Sequence, residues 1–194
     1  MKKIILSSLL AIAAAPAISQ AANGTITFNG NVTGQTCNIS GNGGGKDFTV
    51  TLDSVPTSAL AADGQAAAVR NDTIQFVLTG CTGNGATTNP NGAVRVRFEG
   101  GSTVSPTTHR LINTVGTNFA RQVEIGLINS DFSDIQIGGA QTAGNPYIPI
   151  TGDTAASPST GTATVVYGTK YVATGGAATK GQVVTTVQYS LDFQ

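Results

Sequence analysis

The sequence predicts an all-β protein, an antiparallel sandwich of short strands joined by glycine-rich turns. Period-2 alternation of apolar and polar residues recurs along the chain. Thr is abundant, with 28 copies in 194 residues, and Trp is absent. Gly numbers 25, about 13% of the chain, where roughly 7% is usual. β-branched residues suit a pleated, half-buried surface, and Gly supplies the backbone angles of tight turns.

The strands follow in order. Phe48, Val50 and Leu52 alternate with Thr49, Thr51 and Asp53. Ile74, Phe76 and Leu78 alternate with Gln75 and Thr79, with Val77 as the exception. Val94, Val96 and Phe98 alternate with Arg95, Arg97 and Glu99, which places both arginines on the solvent face. Val123, Ile125 and Leu127 alternate with Glu124 and Gly126, and a further strand runs through about residues 162–172. Between them, residues 41–45, 83–92, 100–108, 138–149 and 152–161 are rich in Gly, Asn, Thr and Pro and read as loops. Residues 57–70 are Ala-rich, with room for one helical turn that Gly64 weakens. There is no internal repeat and no inter-domain linker.

The first residues set the compartment. Lys2 and Lys3 precede an apolar run over residues 4–15, Pro16 breaks it, and Ser19-Gln20-Ala21 supplies the small residues of a cleavage site. The run is too short to cross a hydrocarbon layer of about 30 Å. Residues 1–21 read as a secretory signal. Cys37 and Cys81, an even count in an oxidising compartment, then imply a disulfide. Closing a loop of that length is worth ~4 kcal/mol in the chain-entropy picture.

The same inventory sets chemistry aside. Charged residues make up 10% of the chain, against roughly 25% in an ordinary soluble domain. A nucleic-acid partner, which needs clustered Lys and Arg, is not expected. Two cysteines and the lone His109 cannot supply a tetrahedral metal set, so no metal and no cofactor is expected. No nucleophile elbow is present, and Gly41–Gly45 lacks the Lys-Ser/Thr of a phosphate loop because Lys46 is followed by Asp47. Asp131 and Asp134 read as turn residues, His109 as a loop-edge residue, and the sequons at Asn31, Asn38 and Asn71 as accidents of a Thr-rich chain. The expectation is a protein that is not an enzyme.

The two ends of the chain share one design. Gly24, Ile26, Phe28, Gly30 and Val32 alternate with Thr25, Thr27, Asn29, Asn31 and Thr33. Val183, Thr185, Val187, Tyr189, Leu191 and Phe193 alternate with Val184, Thr186, Gln188, Ser190, Asp192 and Gln194. A terminal strand with a full apolar face must bury it somewhere. Periodicity alone is met by two ordinary strands of the chain's own sandwich and leaves open that another molecule covers them.

Four features then give the chain a family likeness: Thr27–Gly30 ahead of Cys37, Cys81 closing the strand over residues 73–80, aromatic Phe193 next to the last residue, and Gly181 fourteenth from the end. Together they resemble the structural pilins of the chaperone–usher family, type 1 fimbria-like. The departures are Phe193, where the family usually has Tyr, and the long Gly/Thr-rich loops.

The resemblance implies an incomplete immunoglobulin-like sandwich lacking its last strand, with an N-terminal donor-strand extension. The segments would be a signal peptide at 1–21, the extension at 22–34 and the pilin domain at 35–194. Gly24, Ile26, Phe28, Gly30 and Val32 would enter the groove of the next subunit, with Val32 at the position where exchange begins and Gly30 at a shallow pocket. Val187, Tyr189, Leu191 and Phe193 would line the chain's own groove and, with Gly181, meet a chaperone. The implied partners are neighbouring pilin subunits, a periplasmic chaperone and an outer-membrane usher. The implied destination is a surface fimbrium supporting cell adhesion, reached through the periplasm. The alternative is a free-standing secreted Ig-like adhesin or binding module that keeps both terminal strands for itself.

Overall fold

The computed structural model describes residues 37–82, 92–139, 145–153 and 160–194. The signal segment and the proposed donor residues Gly24, Ile26, Phe28, Gly30 and Val32 lie outside the described residues.

The described chain is all-β, as expected. Ten strands follow in order: β1 (Asn38–Gly41), β2 (Ala66–Thr82), β3 (Ala93–Phe98), β4 (Leu111–Ile112), β5 (Val123–Asn129), β6 (Asp134–Ile135), β7 (Ile148–Pro149), β8 (Thr151–Asp153), β9 (Thr160–Ala173) and β10 (Tyr189–Phe193). One sheet runs β1-β2-β9-β5-β4, with β6 on β5 and β8 on β9; the other runs β10-β3-β7. Every ladder between these strands is antiparallel. The core lies between the sheets.

The alternating strands do what their pattern dictates. Cross-strand pairs Ile74↔Tyr167, Phe76↔Val165 and Leu78↔Ala163 between β2 and β9 are all buried. From the opposite sheet Val94, Val96 and Phe98 close the core. The sheets are also joined by a polar link. The Tyr167 hydroxyl donates to Asn145 Oδ1 at 2.7 Å and accepts from the Val96 N–H at 3.1 Å, while Asn145 Nδ2 donates to the Val96 carbonyl at 2.6 Å. Burial pushes the Tyr167 phenol up to about 12, so the ring stays neutral and keeps its donor.

The Ala-rich stretch holds one helical turn, as the sequence allows: it is the 3-10 turn Thr57–Leu60, and Ala66–Arg70 already belongs to β2. Pairing of Ala66 with Val172 and Ala67 with Tyr171 overrides Ala's helical preference. All of β5 is buried, including Glu124, because loops cover its outer face: Thr108 and Thr174 hydroxyls donate to Glu124 Oε2, and Arg110 lies at 3.7 Å. Arg95 is buried rather than solvated. A further feature was not read from the pattern. β2 bulges around Ala68 (φ 48°), and its register shifts at Ala67/Arg70 and Arg70/Ile74. There Gly168 of β9 meets the Arg70 carbonyl so closely that a Cβ would sit 1.9 Å from it. Only Gly fits that crossing.

Tyr167→Phe removes the hydroxyl and leaves Asn145 Oδ1 and the Val96 N–H buried without that partner. The expected loss is about 1–3 kcal/mol, read as a lower urea midpoint with an unchanged slope.

Candidate functional site: an open stripe between the sheets

Two extended segments flank the core without entering the main ladders. Residues 48–53 alternate in burial as the sequence predicts, yet belong to no strand of either sheet. Residues 183–188, leading into β10, behave the same way. Phe48, Val50, Leu52 and Val55 on one side, and Val183, Val187, Tyr189, Leu191 and Phe193 on the other, pack on the core while remaining half-buried. The facing residues of the paired strands, by contrast, are fully buried: Phe76, Leu78, Val94 and Val96 are at most 1% exposed. Phe76 is the floor that both sides touch, with ring centroids 5.4 Å from Phe48 and 4.8 Å from Tyr189. The Tyr189 hydroxyl donates to the Lys46 carbonyl at 2.7 Å and ties the two sides together.

The backbone of β10 is half used. Ala93 and Gln194 exchange two hydrogen bonds, at 3.1 and 2.9 Å, and the Glu99 N–H donates to Gln188. In an antiparallel ladder bonded and non-bonded pairs alternate. Gln188, Ser190, Asp192 and Gln194 therefore direct their N–H and C=O groups to β3. Tyr189, Leu191 and Phe193 direct theirs to the opposite edge. Among the described residues β10 has no strand on that side. The backbone edge and the apolar faces of Val187, Tyr189, Leu191 and Phe193 thus open on the same gap.

Two polar devices hold this edge. The first is on the outer face of β10. Arg95 Nε and Nη2 donate to Asp192 Oδ2 at 2.9 and 2.7 Å, the Tyr147 hydroxyl donates to the same oxygen at 2.8 Å, and the Arg95 guanidinium lies 4.4 Å from the Tyr147 ring centroid. Arg95 and Asp192 are direct cross-strand partners. Burial pushes the Asp192 carboxyl up, but the Arg95 and Tyr147 hydrogen bonds and the charges of Arg95 and Arg97 outweigh it and hold it below its ordinary value.

The second device is buried Asn113. Its Nδ2 donates to the Ala120 and Gln182 carbonyls at 2.7 and 2.9 Å, and its Oδ1 accepts from Val184 N–H at 2.7 Å. Thr114 adds its N–H and hydroxyl to the Val184 carbonyl at 3.0 and 2.7 Å. Gly181 sits at this end with φ 153°, against the Phe119–Ala120 backbone; a Cβ would lie 2.3 Å from Ala120 N.

The other residues singled out by sequence lie elsewhere. Cys37 and Cys81 form the expected disulfide, joining the start of β1 to the end of β2. His109 is half-buried at φ 55°, its Nδ1 3.3 Å from the Ile137 carbonyl. Asp131 accepts from Ser133 N–H at 2.9 Å and from its hydroxyl, as a turn residue does, and Asp134 pairs with Lys170. Among the described residues no group of His, Cys, Asp and Glu could hold a metal ion. Sequence reasoning missed Arg95, Asp192 and Asn113. The Arg–Asp pair is invisible until the register of β10 on β3 is known. A lone Asn in a loop carries no signal at all.

Fold and site together define a class, the immunoglobulin-like sandwich left open, among the described residues, along one edge strand. Comparison with known proteins names it. The family model of FimA, the type-1 fimbrial protein A, matches residues 52–194. The major fimbrial subunit SMF-1 of Stenotrophomonas maltophilia (strain K279a) is 38% identical over 182 residues, covering 94% of this chain and 99% of that one. The F17 fimbrial protein of Escherichia coli is 34% identical over 195 residues, with both chains covered completely. Among solved structures, a chaperone–usher pilus aligns with TM-score 0.56 at 20% identity over 93% of this chain and all of that one. The P pilus rod subunit PapA aligns with TM-score 0.55 at 19% identity over 81% of this chain and 99% of that one. The chain belongs to the FimA family of type-1 fimbrial proteins and is a structural pilin subunit.

The Asp192 contribution to stability has a definite sign. A carboxyl held below its unfolded value stabilises fully above that value, about pH 4, and the contribution drains away as pH falls through the lowered folded value. Asp192→Asn is expected to be less stable than wild type at neutral pH and to lose less on acidification below about pH 4. Urea midpoints of both proteins on either side of that pH check it.

Proposed function

We propose that this chain polymerises by donor-strand exchange, in which each copy completes its open edge with the leading segment of the next. The observation that carries the reading is the coincidence, on one gap, of half-buried apolar side chains and unused backbone groups of β10. Strand addition to an exposed sheet edge is a general mode of recognition, of which pilin donor-strand complementation is one known instance. Gly24, Ile26, Phe28, Gly30 and Val32 are the donor residues, presenting one face of an alternating strand. Burying Ile26, Phe28 and Val32 is worth about 1.5–3 kcal/mol each in gross terms. New main-chain bonds add about 1 kcal/mol net each. Ordering the segment costs about 1–2 kcal/mol per residue, so persistence of the joint rests on cooperative unfolding of the completed sandwich.

Before assembly the same gap needs a temporary cover, since an exposed apolar edge invites aggregation. A periplasmic chaperone supplies it, Val187, Tyr189, Leu191 and Phe193 are its contacts, and Gly181 marks the end of that strip. An outer-membrane usher carries the growing fibre to the cell surface, where the fimbrium supports adhesion. No step of this scheme calls for bond-making chemistry, in keeping with a structural subunit rather than an enzyme.

Deleting residues 22–33 is expected to leave a subunit that co-purifies with its chaperone but forms no polymer. The measurement is gel electrophoresis of surface material in detergent, unboiled and boiled. Wild type should give a ladder that collapses on heating, and the deletion should give none. An unchanged ladder from the deletion would overturn the donor assignment. Gly30→Asn should slow exchange while leaving the Cys37–Cys81 bond intact, since a side chain would collide with the pocket that Gly30 enters.

A further inference from the structure

Three of the exposed large apolar residues gather at one end of the open stripe. Val115 is 92% exposed, Val184 51% and Ile112 38%. They are neighbours because Thr114 is bonded to Val184 through its N–H and hydroxyl, and Ile112 N–H is bonded to Thr103, whose hydroxyl reaches Thr186. The segments that meet here, residues 100–108, 111–120 and 181–191, contain no Asp, Glu, Lys or Arg, and Arg110, Arg121 and Lys180 stand at their ends. A patch whose charges are confined to its rim is cheap to desolvate at its centre, and charge depletion marks the core of protein interfaces.

We infer that this patch seats the folded body of the donor copy, a second molecule of this chain, once its leading segment lies in the gap. The inference rests on the donor-strand reading. Three observations select that occupant. First, β10 is antiparallel to β3, and a donor strand that continues this alternation on the free edge of β10 runs opposite to it and ends beside Val183. Second, only residues 33–36 separate donor residue Val32 from Cys37, where the body begins. Five Cα steps reach at most about 18 Å, so the donor's body cannot sit far from that end.

Third, the chain's own Cys37 lies toward the opposite end of the stripe. β2 and β10 run the same way, with Phe76 on Tyr189, the start of β2 paired to Val172 and the disulfide at its far end. Donor and acceptor surfaces are therefore different patches at opposite ends, the arrangement that yields an open chain rather than a closed ring. Three apolar residues would not hold two free proteins together. A short tether raises the local concentration to the ~mM range, where a small contact is occupied. The contact sets the angle between successive subunits, while the donor strand supplies the hold.

The test uses isolated fimbriae of Val115→Cys, labelled at the new thiol with a maleimide–benzophenone and illuminated. The expected result is a ladder that survives boiling in reducing detergent, with the crosslinked peptide mapping to the end of a second copy that carries Cys37 and Cys81. Illuminated fimbriae that keep the heat-labile ladder but gain no boiling-resistant one overturn the inference and leave donor-strand exchange standing. A crosslink to any other protein, or to another face of the second copy, overturns it equally. Absence of the heat-labile ladder from unlabelled wild-type fimbriae removes the donor-strand reading and this inference with it. Ile112→Lys combined with Val184→Lys should abolish the crosslink from position 115 while the heat-labile ladder remains.

Discussion

The structure depends on an edge strand that, among the described residues, has a strand partner on one side only. β10 spends alternate backbone groups on β3 and turns the others, with the side chains of Tyr189, Leu191 and Phe193, toward a gap. In a closed sandwich a neighbouring strand would fix such an edge by main-chain bonds. Here side chains do that work. Asn113 and Thr114 grip the backbone at Gln182–Val184, Arg95 and Tyr147 grip Asp192, and the Tyr189 hydroxyl reaches the Lys46 carbonyl. The grips are spaced from one end of the segment to the other. The edge is thereby ordered in advance, so that a strand added to it would have only its own ordering to offset.

The opposite side of the gap is secured covalently. β1 contributes only four residues to its ladder with β2, from Asn38↔Thr79 to Gly41↔Phe76. Such a short edge strand frays easily. The Cys37–Cys81 bond anchors the residue just before β1 to the interior of the sandwich, where Cys81 is wholly buried. The turn after Gly41 then delivers Phe48, Val50 and Leu52 to the rim. Removing the bond would loosen β1 and, with it, the path of the segment that forms this side.

Much of this was legible because it is local. Alternation located the centre of β2, β3 and β9, the cysteine count gave the disulfide, and the pattern over residues 183–193 marked the strip that borders the gap. What alternation cannot report is whether a periodic segment has a ladder partner. Residues 48–53 and 183–188 carry the same pattern as β3 and yet stand outside the ladders. It also cannot report what covers the second face. Arg95 sits at a position that reads as solvated, yet it and Glu124 are buried by Asp192, Tyr147, Thr108 and Thr174, all more than a dozen residues away in sequence. Asn113 belongs to the same class, a residue whose role exists only once two distant loops meet. The bulge at Ala68 is encoded across the sheet by Gly168, a pairing that register alone reveals.

The scarcity of charge fits a pilin subunit, which lies against other pilin subunits. In a homopolymer each charge recurs in every subunit, so a local excess of one sign is repeated along the fibre and repels. This chain has 10 basic and 10 acidic groups, and two of the basic ones, Lys2 and Lys3, lie in the segment that reads as a signal. In the described residues Arg70 pairs with Asp53 and Asp72, Arg95 with Asp192, Arg97 with Glu99, Arg110 with Glu124 and Lys170 with Asp134. Most of these pairs are neutralised within one subunit, so their fields fall off steeply beyond it. The exposed pairs add little stability. Residues 183–191 of the strip bordering the gap carry no charge and are Val, Thr, Gln, Tyr, Ser and Leu. Those side chains can be covered by a neighbour and uncovered again without moving a net charge out of water.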